Sequence, residues 1–236
     1  GLARNADSGT YDVHDLIREF LLQSLDKQSK EDLHNKAVAW YTKQTKSSQI
    51  ALELIYHLIS SSRHEDATKL VVEQGRDLIK EGHIELLGLL ESIDTKSVGA
   101  DSACRVDRLR GEVLALLGRF DEAEEAFNQA KPPAEAAGLD DVIADIVSNL
   151  ADIALKRGDS EGSLGMHRKA LELFISMGDA IGAARSYNNM GYILRRNGDK
   201  AKALEAYGDV ESILSSNDST ELIPAQIVLA RSLLDL

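Results

Sequence analysis

The sequence holds one cysteine, three prolines and one tryptophan, and its aromatic residues amount to 5%. Each shortage excludes something. Cys104 has no second cysteine to bridge, so no internal disulfide supports the fold, as fits a reducing, cytoplasmic setting. So few prolines and rings leave too little turn punctuation and strand-forming chemistry for a sandwich or barrel of many short strands. No apolar run approaches the ~18 residues that a membrane span needs. The opening Gly1-Leu2-Ala3-Arg4-Asn5 lacks the apolar stretch of a signal peptide. Basic residues are outnumbered, 27 against 39 acidic ones, for a net charge of −12. A chain of that sign is not built to grip a phosphate backbone. Direct nucleic-acid contact and membrane contact are therefore not expected of it.

Catalytic motifs are missing as well. The nearest phosphate-loop lookalike, Gly158 to Lys169, has no Gly-Lys-Ser/Thr and falls at a turn. The histidines (14, 34, 57, 64, 83 and 167) are scattered, with no His-Glu-x-x-His pair. His64-Glu65-Asp66 sits at a helix start, where capping is the simpler reading than metal binding. Cys104 has no evident histidine partner and reads as core. His14, beside Asp15 and Glu19, reads as a contact at a helix start. No catalytic residue, metal ligand or cofactor is assigned, and the segment reads as non-enzymatic.

What the sequence does have is a repeat. Gly118, Gly158 and Gly198 are spaced by 40 residues. Five residues past each comes a small side chain (Ala123, Ser163, Ala203), then a ring (Phe127, His167, Tyr207), then Ala130, Ala170 and Val210. Upstream, Gly111, Ala151 and Gly191 form a second small column, followed by Leu114, Ala154 and Leu194. Gly138, Gly178 and Asn217-Asp218 fall midway between the turn glycines. Self-similarity at a fixed period marks a solenoid. Apolar or small residues recur at helical spacing within each unit. A small residue lets two helix backbones approach, and the ring fills the groove above it. Each hairpin alone leaves an apolar face in water, so neighbours must stack. The expectation is all-α: a right-handed superhelix of antiparallel helical hairpins with about twelve helices, and Ala123 and Ala203 buried where helices touch.

Gly111…Leu114…Gly118-Arg119-Phe120-Asp121-Glu122-Ala123…Phe127…Ala130 resembles a tetratricopeptide repeat, as does Asn189-Met190-Gly191-Tyr192…Asn197-Gly198-Asp199…Ala203…Tyr207. The family's usual unit is about 34 residues; the 40-residue spacing here resembles a longer-helix variant of bacterial and archaeal signalling proteins. Two features depart from the pattern. His167 replaces the usual aromatic. Pro132-Pro133 stands where sister repeats continue as helix, and a stop or kink near Ala130 is expected.

The first hundred residues lack the 40-residue columns. Residues 2–13 read as the end of a β-hairpin around Asp7-Ser8-Gly9, followed by an amphipathic helix apolar at 13, 16, 17, 20 and 21. Further helices are expected from near Ser29, with Asp32 at capping-box spacing, through Leu33, Ala37, Trp40 and Tyr41. Others are expected over Ile50–Ser61, over Glu65–Gly82 with a weak point at Gly75, and over His83–Ile93. Asp94 to Gly99 reads as the connection into the repeats. Tyr11-Asp12-Val13-His14-Asp15-Leu16-Ile17-Arg18-Glu19-Phe20-Leu21, with Ala37 to Tyr41 and Glu53 to Leu58, resembles STAND signalling NTPases, a family that includes maltose-regulator-like activators. It matches the place where their winged-helix module gives way to a helical-repeat sensor. The resemblance implies a fragment lacking an upstream NTPase domain. Its parts would be residues 1–28 as the end of a winged-helix-like module, 29–100 as degenerate repeats, and 101–236 as three repeats plus a final helix at about 219–235.

Two function classes follow. One is a non-catalytic interaction or sensor scaffold that binds a protein, a peptide or a small anionic effector. The other is part of an ATP-dependent transcriptional regulator whose superhelix binds a small-molecule inducer. In repeat hairpins of this kind the first helix of each pair lines the concave groove. Its projected positions are Arg105, Arg108 and Glu112; Asp145, Ser148, Asp152 and Lys156; and Arg185, Asn188, Tyr192, Arg195 and Arg196. The third set is cationic within an acidic chain, and arginine offers a bidentate fork to carboxylate or phosphate.

Overall fold

The computed structural model describes residues 3–6, 10–13, 24–45 and 47–216. Two short strands open it, β1 (Ala3–Ala6) and β2 (Thr10–Val13), paired antiparallel with Ala3 opposite Val13 and Ala6 opposite Thr10. This is the hairpin expected over residues 2–13. Ten helices follow among the described residues: α1 (Lys27–Tyr41), α2 (Ser48–Ser60), α3 (His64–Lys80), α4 (Leu86–Ser92), α5 (Ala100–Leu116), α6 (Phe120–Ala137), α7 (Asp140–Lys156), α8 (Ser160–Met177), α9 (Ala180–Arg196) and α10 (Lys200–Ser216). The expected helices at about 14–22 and 219–235 lie outside the described residues.

Among the described residues the fold is all-α apart from that hairpin, and its helices pair in sequence: α1 with α2, α5 with α6, α7 with α8, α9 with α10. First helices of successive pairs also touch, α3 on α5 and α5 on α7, which makes a solenoid rather than a string of separate hairpins. From α5 onward each helix and its turn occupy 20 residues. The turns end at Gly118, Gly138, Gly158, Gly178 and Gly198, all with φ between 67° and 92°. At Gly118 the closure is complete: its N–H donates to Ala115 and the N–H of Arg119 donates to Leu114, satisfying the last carbonyls of α5.

The columns read from the sequence lie in the core. Ala123, Phe127, Ala130, Ala170 and Ala203 are buried, as are His167 and Tyr207. The small column exists because the ring column lies against it. A Cβ on Gly111 would stand 2.5 Å from Phe127 Cε1, and one on Gly191 would stand 2.4 Å from Tyr207 Cε1. The corresponding second-repeat position is Ala151, buried, and the ring there is the smaller imidazole of His167.

Three expectations need correction. Helix α6 does not stop near Ala130: it runs through Pro132 and Pro133 to Ala137. Both prolines face solvent while Ala130 and Ala134 are buried, so water can reach the carbonyls that lose their amide partners. Helix α1 is capped by Asp26, whose carboxylate accepts from the N–H of Ser29 at 2.7 Å, and not from Ser29 by a capping box. Leu33 and Trp40, which the helix runs through as expected, are 46% and 53% exposed. Gly75 is no weak point. It is buried inside a continuous α3, and a Cβ there would lie 2.9 Å from Leu109 Cδ1.

Candidate functional site

Helix α3 holds the key to the groove. Ser62 and Gly82 both have left-handed φ (60° and 88°) and close the ends of α2 and α3 20 residues apart, the turn spacing of the later repeats. Helix α3 therefore stands as the first helix of a hairpin whose second helix, α4, is shortened to seven residues. Aligning helix starts at His64, Ala100, Asp140 and Ala180 superimposes Arg76, Glu112, Asp152 and Tyr192, and likewise Lys80, Leu116, Lys156 and Arg196.

The first three members of each column converge on a cavity of about 350 Å³, while Tyr192 and Arg196 stand outside its lining. Arg76, Ile79 and Lys80 of α3 form one wall, and Glu112, Ala115 and Leu116 of α5 the floor with Phe120. Asn149, Asp152, Ile153 and Lys156 of α7 lie opposite, with Arg185 of α9 at the far end. Four cations, Arg76, Lys80, Lys156 and Arg185, thus meet two carboxylates over an apolar base.

A buried carboxylate organises the polar end. Asp145 is 6% exposed and accepts from Arg76 of α3 and from Arg185 of α9, the latter at 3.2 Å, while Arg108 Nη1 of α5 lies 3.8 Å away. Arg108 also pairs with Glu112, whose Oε1 is 3.5 Å from Asn149 Nδ2. Burial, and then the charge of Arg108, pushes the Arg76 guanidinium below its ordinary value. The Arg185 guanidinium also lies 5.5 Å from the centre of the Phe174 ring.

The residues projected from the sequence divide between this cavity and its surroundings. Asp152, Lys156 and Arg185 line it. Arg108, projected as an exposed groove position, is 5% exposed and stands outside the cavity's lining. Asp145 is buried too, whereas Ser148, also buried, and Glu112 reach the cavity. The projection treats each helix alone, whereas contact between successive first helices covers these positions. Arg185 is not a freely offered cation, because it is held by Asp145. Arg105 is tied at the helix edge to Asp101 at 2.7 Å and to Asp141 at 2.5 and 3.3 Å. Its hydrogen bond to Asp141 raises the guanidinium above its ordinary value. Asn188, Tyr192, Arg195 and Arg196 continue along α9, with the Arg195 guanidinium 5.7 Å from the Tyr192 ring centre and Arg196 exposed. Arg76 and Lys80 were not among the projected residues; the 20-residue step from Ser62 to Gly82 is the signal that locates them. Among the described residues no group of three or more His, Cys, Asp or Glu is placed to hold a metal, and no helix is long and apolar enough to cross a membrane.

Residues 142–216 and, separately, 105–129 match tetratricopeptide repeat family models. No curated protein matches the sequence. Solved structures with the same fold include BtubC (BKLC) from P. vanneervenii, 18% identical, TM-score 0.56, over 89% of this chain and 84% of that one. Aspartyl phosphate phosphatase F from Bacillus subtilis is 12% identical, TM-score 0.64, over 78% of this chain and 50% of its own. A signal transduction ATPase with numerous domains and a tetratricopeptide repeat sensor, from Pyrococcus horikoshii, is 16% identical, TM-score 0.54. It is matched over 100% of this chain, which spans 41% of its length. Residues 105–129 and 142–216 are thus similar to tetratricopeptide repeats, and the fold is a tetratricopeptide-like α-solenoid.

Proposed function

We propose that the chain is an interaction and sensor scaffold whose concave cavity between α3, α5, α7 and α9 receives an anionic group carried on a peptide or a small effector. The observation that carries this reading is the cavity itself: Lys80 and Lys156, with Arg76 and Arg185 held beside them by Asp145, meet over an apolar base in a chain of net charge −12. A carboxylate or phosphate would find Arg and Lys donors at the rim, and an apolar neighbour would contact Ile79, Leu116 and Ile153. The outer positions Arg105, Asn188, Tyr192, Arg195 and Arg196 would extend the same strip for a longer peptide.

The wider reading is that this scaffold serves as the sensor part of a STAND-type ATPase, with residues 1–28 ending a winged-helix-like module. It is supported by the resemblance at residues 11–21 and by the full-length match to the sensor-bearing structure. The alternative of an inducer-binding transcriptional regulator differs in what occupies the cavity, a small molecule rather than a peptide.

Charge reversal at the rim tests the site without breaking the Asp145 network. Lys80→Glu with Lys156→Glu should abolish binding of acidic peptides or anionic effectors in a calorimetric panel and leave the melting temperature nearly unchanged. Binding by the native chain should weaken as salt rises. Unaltered affinity in the double variant removes the cavity as the recognition site.

A further inference from the structure

The first hairpin carries a feature that the groove does not use. His34 of α1 and His57 of α2 face each other with their Nδ1 atoms 2.7 Å apart. Two imidazole nitrogens at that distance need one proton between them: one ring donates its Nδ1–H, and the other accepts on a bare Nδ1 and carries its proton on Nε2. A second proton on the pair would set two N–H donors against each other. The rings are half-buried. Tyr41 stacks on His57 at 5.4 Å, Tyr56 meets it edge-on at 5.1 Å, and the His34 and His57 centroids are 5.0 Å apart. A cavity of about 710 Å³ opens beside them, lined also by Leu33, Gln49, Glu53 and Glu85.

We propose that the His34–His57 contact is a proton-operated latch between α1 and α2, closed while the pair holds a single bridging proton and released when both rings become imidazolium. Burial lowers the proton affinity of His34; burial and then the neighbouring His34 lower that of His57. Each ring therefore stays neutral to a lower pH than in the unfolded chain. The charged and titratable neighbours are few. Tyr41 comes from α1, Glu53 and Tyr56 from α2, and Glu85 from the turn before α4. Glu53 favours the charged form of His57, but more weakly than the two opposing causes. The charges on α3 (Arg63, Asp66, Lys69, Glu73) line a separate cavity with Leu54 and Leu58. The sign follows from linkage: a histidine whose folded pKa is depressed contributes stability above its unfolded value of about 6.5, and that contribution is lost as pH falls. Acid therefore loosens this hairpin first.

Trp40 reports on it directly. It is the one tryptophan in the sequence, lies on α1 and sits edge-on to Tyr41 at 4.8 Å. In the full chain, titration from about pH 8 to pH 5 should move Trp40 emission with a midpoint below about 6.5, before the far-ultraviolet helix signal changes. His34→Asn and His57→Asn each keep a neutral hydrogen-bonding group near the Nδ1 position and leave one titrating ring. Either variant should hold its emission flat over that range. Proton resonances of the imidazoles in the native chain supply a second measurement: two rings should titrate in coupled steps about one pH unit or more apart. Native emission that is flat, variants that follow the native curve, or six histidines titrating independently near the ordinary value would overturn the latch.

Discussion

Between Ala100 and Ser216 every helix has 17 or 18 residues, and each turn between them contains a left-handed glycine. Between Lys27 and Ser92 the helices have 15, 13, 17 and 7 residues, and their boundaries are mixed. Asp26 caps α1, Ser47 caps α2 by accepting from the N–H of Ile50 at 3.3 Å, α3 and α4 start without a side-chain cap, and α2 and α3 end at left-handed Ser62 and Gly82. Both regions stack hairpins, but they specify register differently. In the regular region a periodic backbone element and a small-against-ring column repeat the same instruction, so one poor member, such as Pro132-Pro133 or His167, is overruled by its neighbours. In the first region the starts of α1 and α2 each rest on one side-chain hydrogen bond, those of α3 and α4 have none, and the stack is held in phase by what α3 touches. The groove needs both regions, because Arg76 and Lys80 come from the irregular one and Asp152, Lys156 and Arg185 from the regular one.

Asp145 is where that dependence can be broken with the largest effect. Asp145→Ala removes the acceptor shared by Arg76 and Arg185 and leaves guanidinium groups packed together beside Arg108. Removing one partner of a buried ion pair costs about 3–5 kcal/mol. The lower end is expected, since Arg108 keeps Glu112 and both Arg76 and Arg185 are about half exposed. Denaturant unfolding should also broaden as the two regions uncouple. A loss below about 1 kcal/mol would mean that Asp145 does not join the regions.

A smaller effect tests the column within the regular region. Gly111→Ala puts a Cβ 2.5 Å from the Phe127 ring, an overpacking worth about 1–3 kcal/mol. Position 151 carries alanine opposite a histidine, so the same change in a Phe127→His background should cost less. A double-mutant cycle reads the coupling directly. Additive losses would show that ring size does not set the small column.

Much of the regular region was legible because its signal is periodic: Gly118, Gly158 and Gly198 with Phe127, His167 and Tyr207 fix helices, turns and burial together. The site was legible only in part. Arg185, Asp152 and Lys156 follow from projecting one face of each first helix, but such a projection carries no information about neighbouring helices, and so it left Arg108, Asp145 and Ser148 on the surface. Arg76 and Lys80 escaped because the glycine that would have marked the end of α2 is a serine. Gly75 looked like a defect for the same reason. It aligns with Gly111, Ala151 and Gly191 once α3 is placed in phase, and Leu109 takes the space that a ring takes elsewhere.

Ser62 is also the place for the smallest of these tests. The turn after α2 closes as the glycine turns do: the N–H of Ser62 donates to Ile59 and that of Arg63 donates to Leu58, both at 2.9 Å. Ser62 alone among described non-glycine residues does this at positive φ, 60°, where a Cβ crowds its own backbone at a cost of about 1–2 kcal/mol. Ser62→Gly removes that strain. It also frees the unfolded chain, which returns about 0.5–1 kcal/mol. The side chain gives up little, since its hydroxyl reaches Glu31 only at 3.5 Å. The net expectation is a gain of a few tenths to about 1 kcal/mol, seen as a rise of a few degrees at most in the melting temperature. The reverse change, Gly118→Ser, installs the strain in a turn that lacks it and should lose a similar amount. If Ser62→Gly destabilises, the serine has a role beyond terminating α2, and the 20-residue phase from Ser62 to Gly82 does not arise from the turn chemistry of the later repeats.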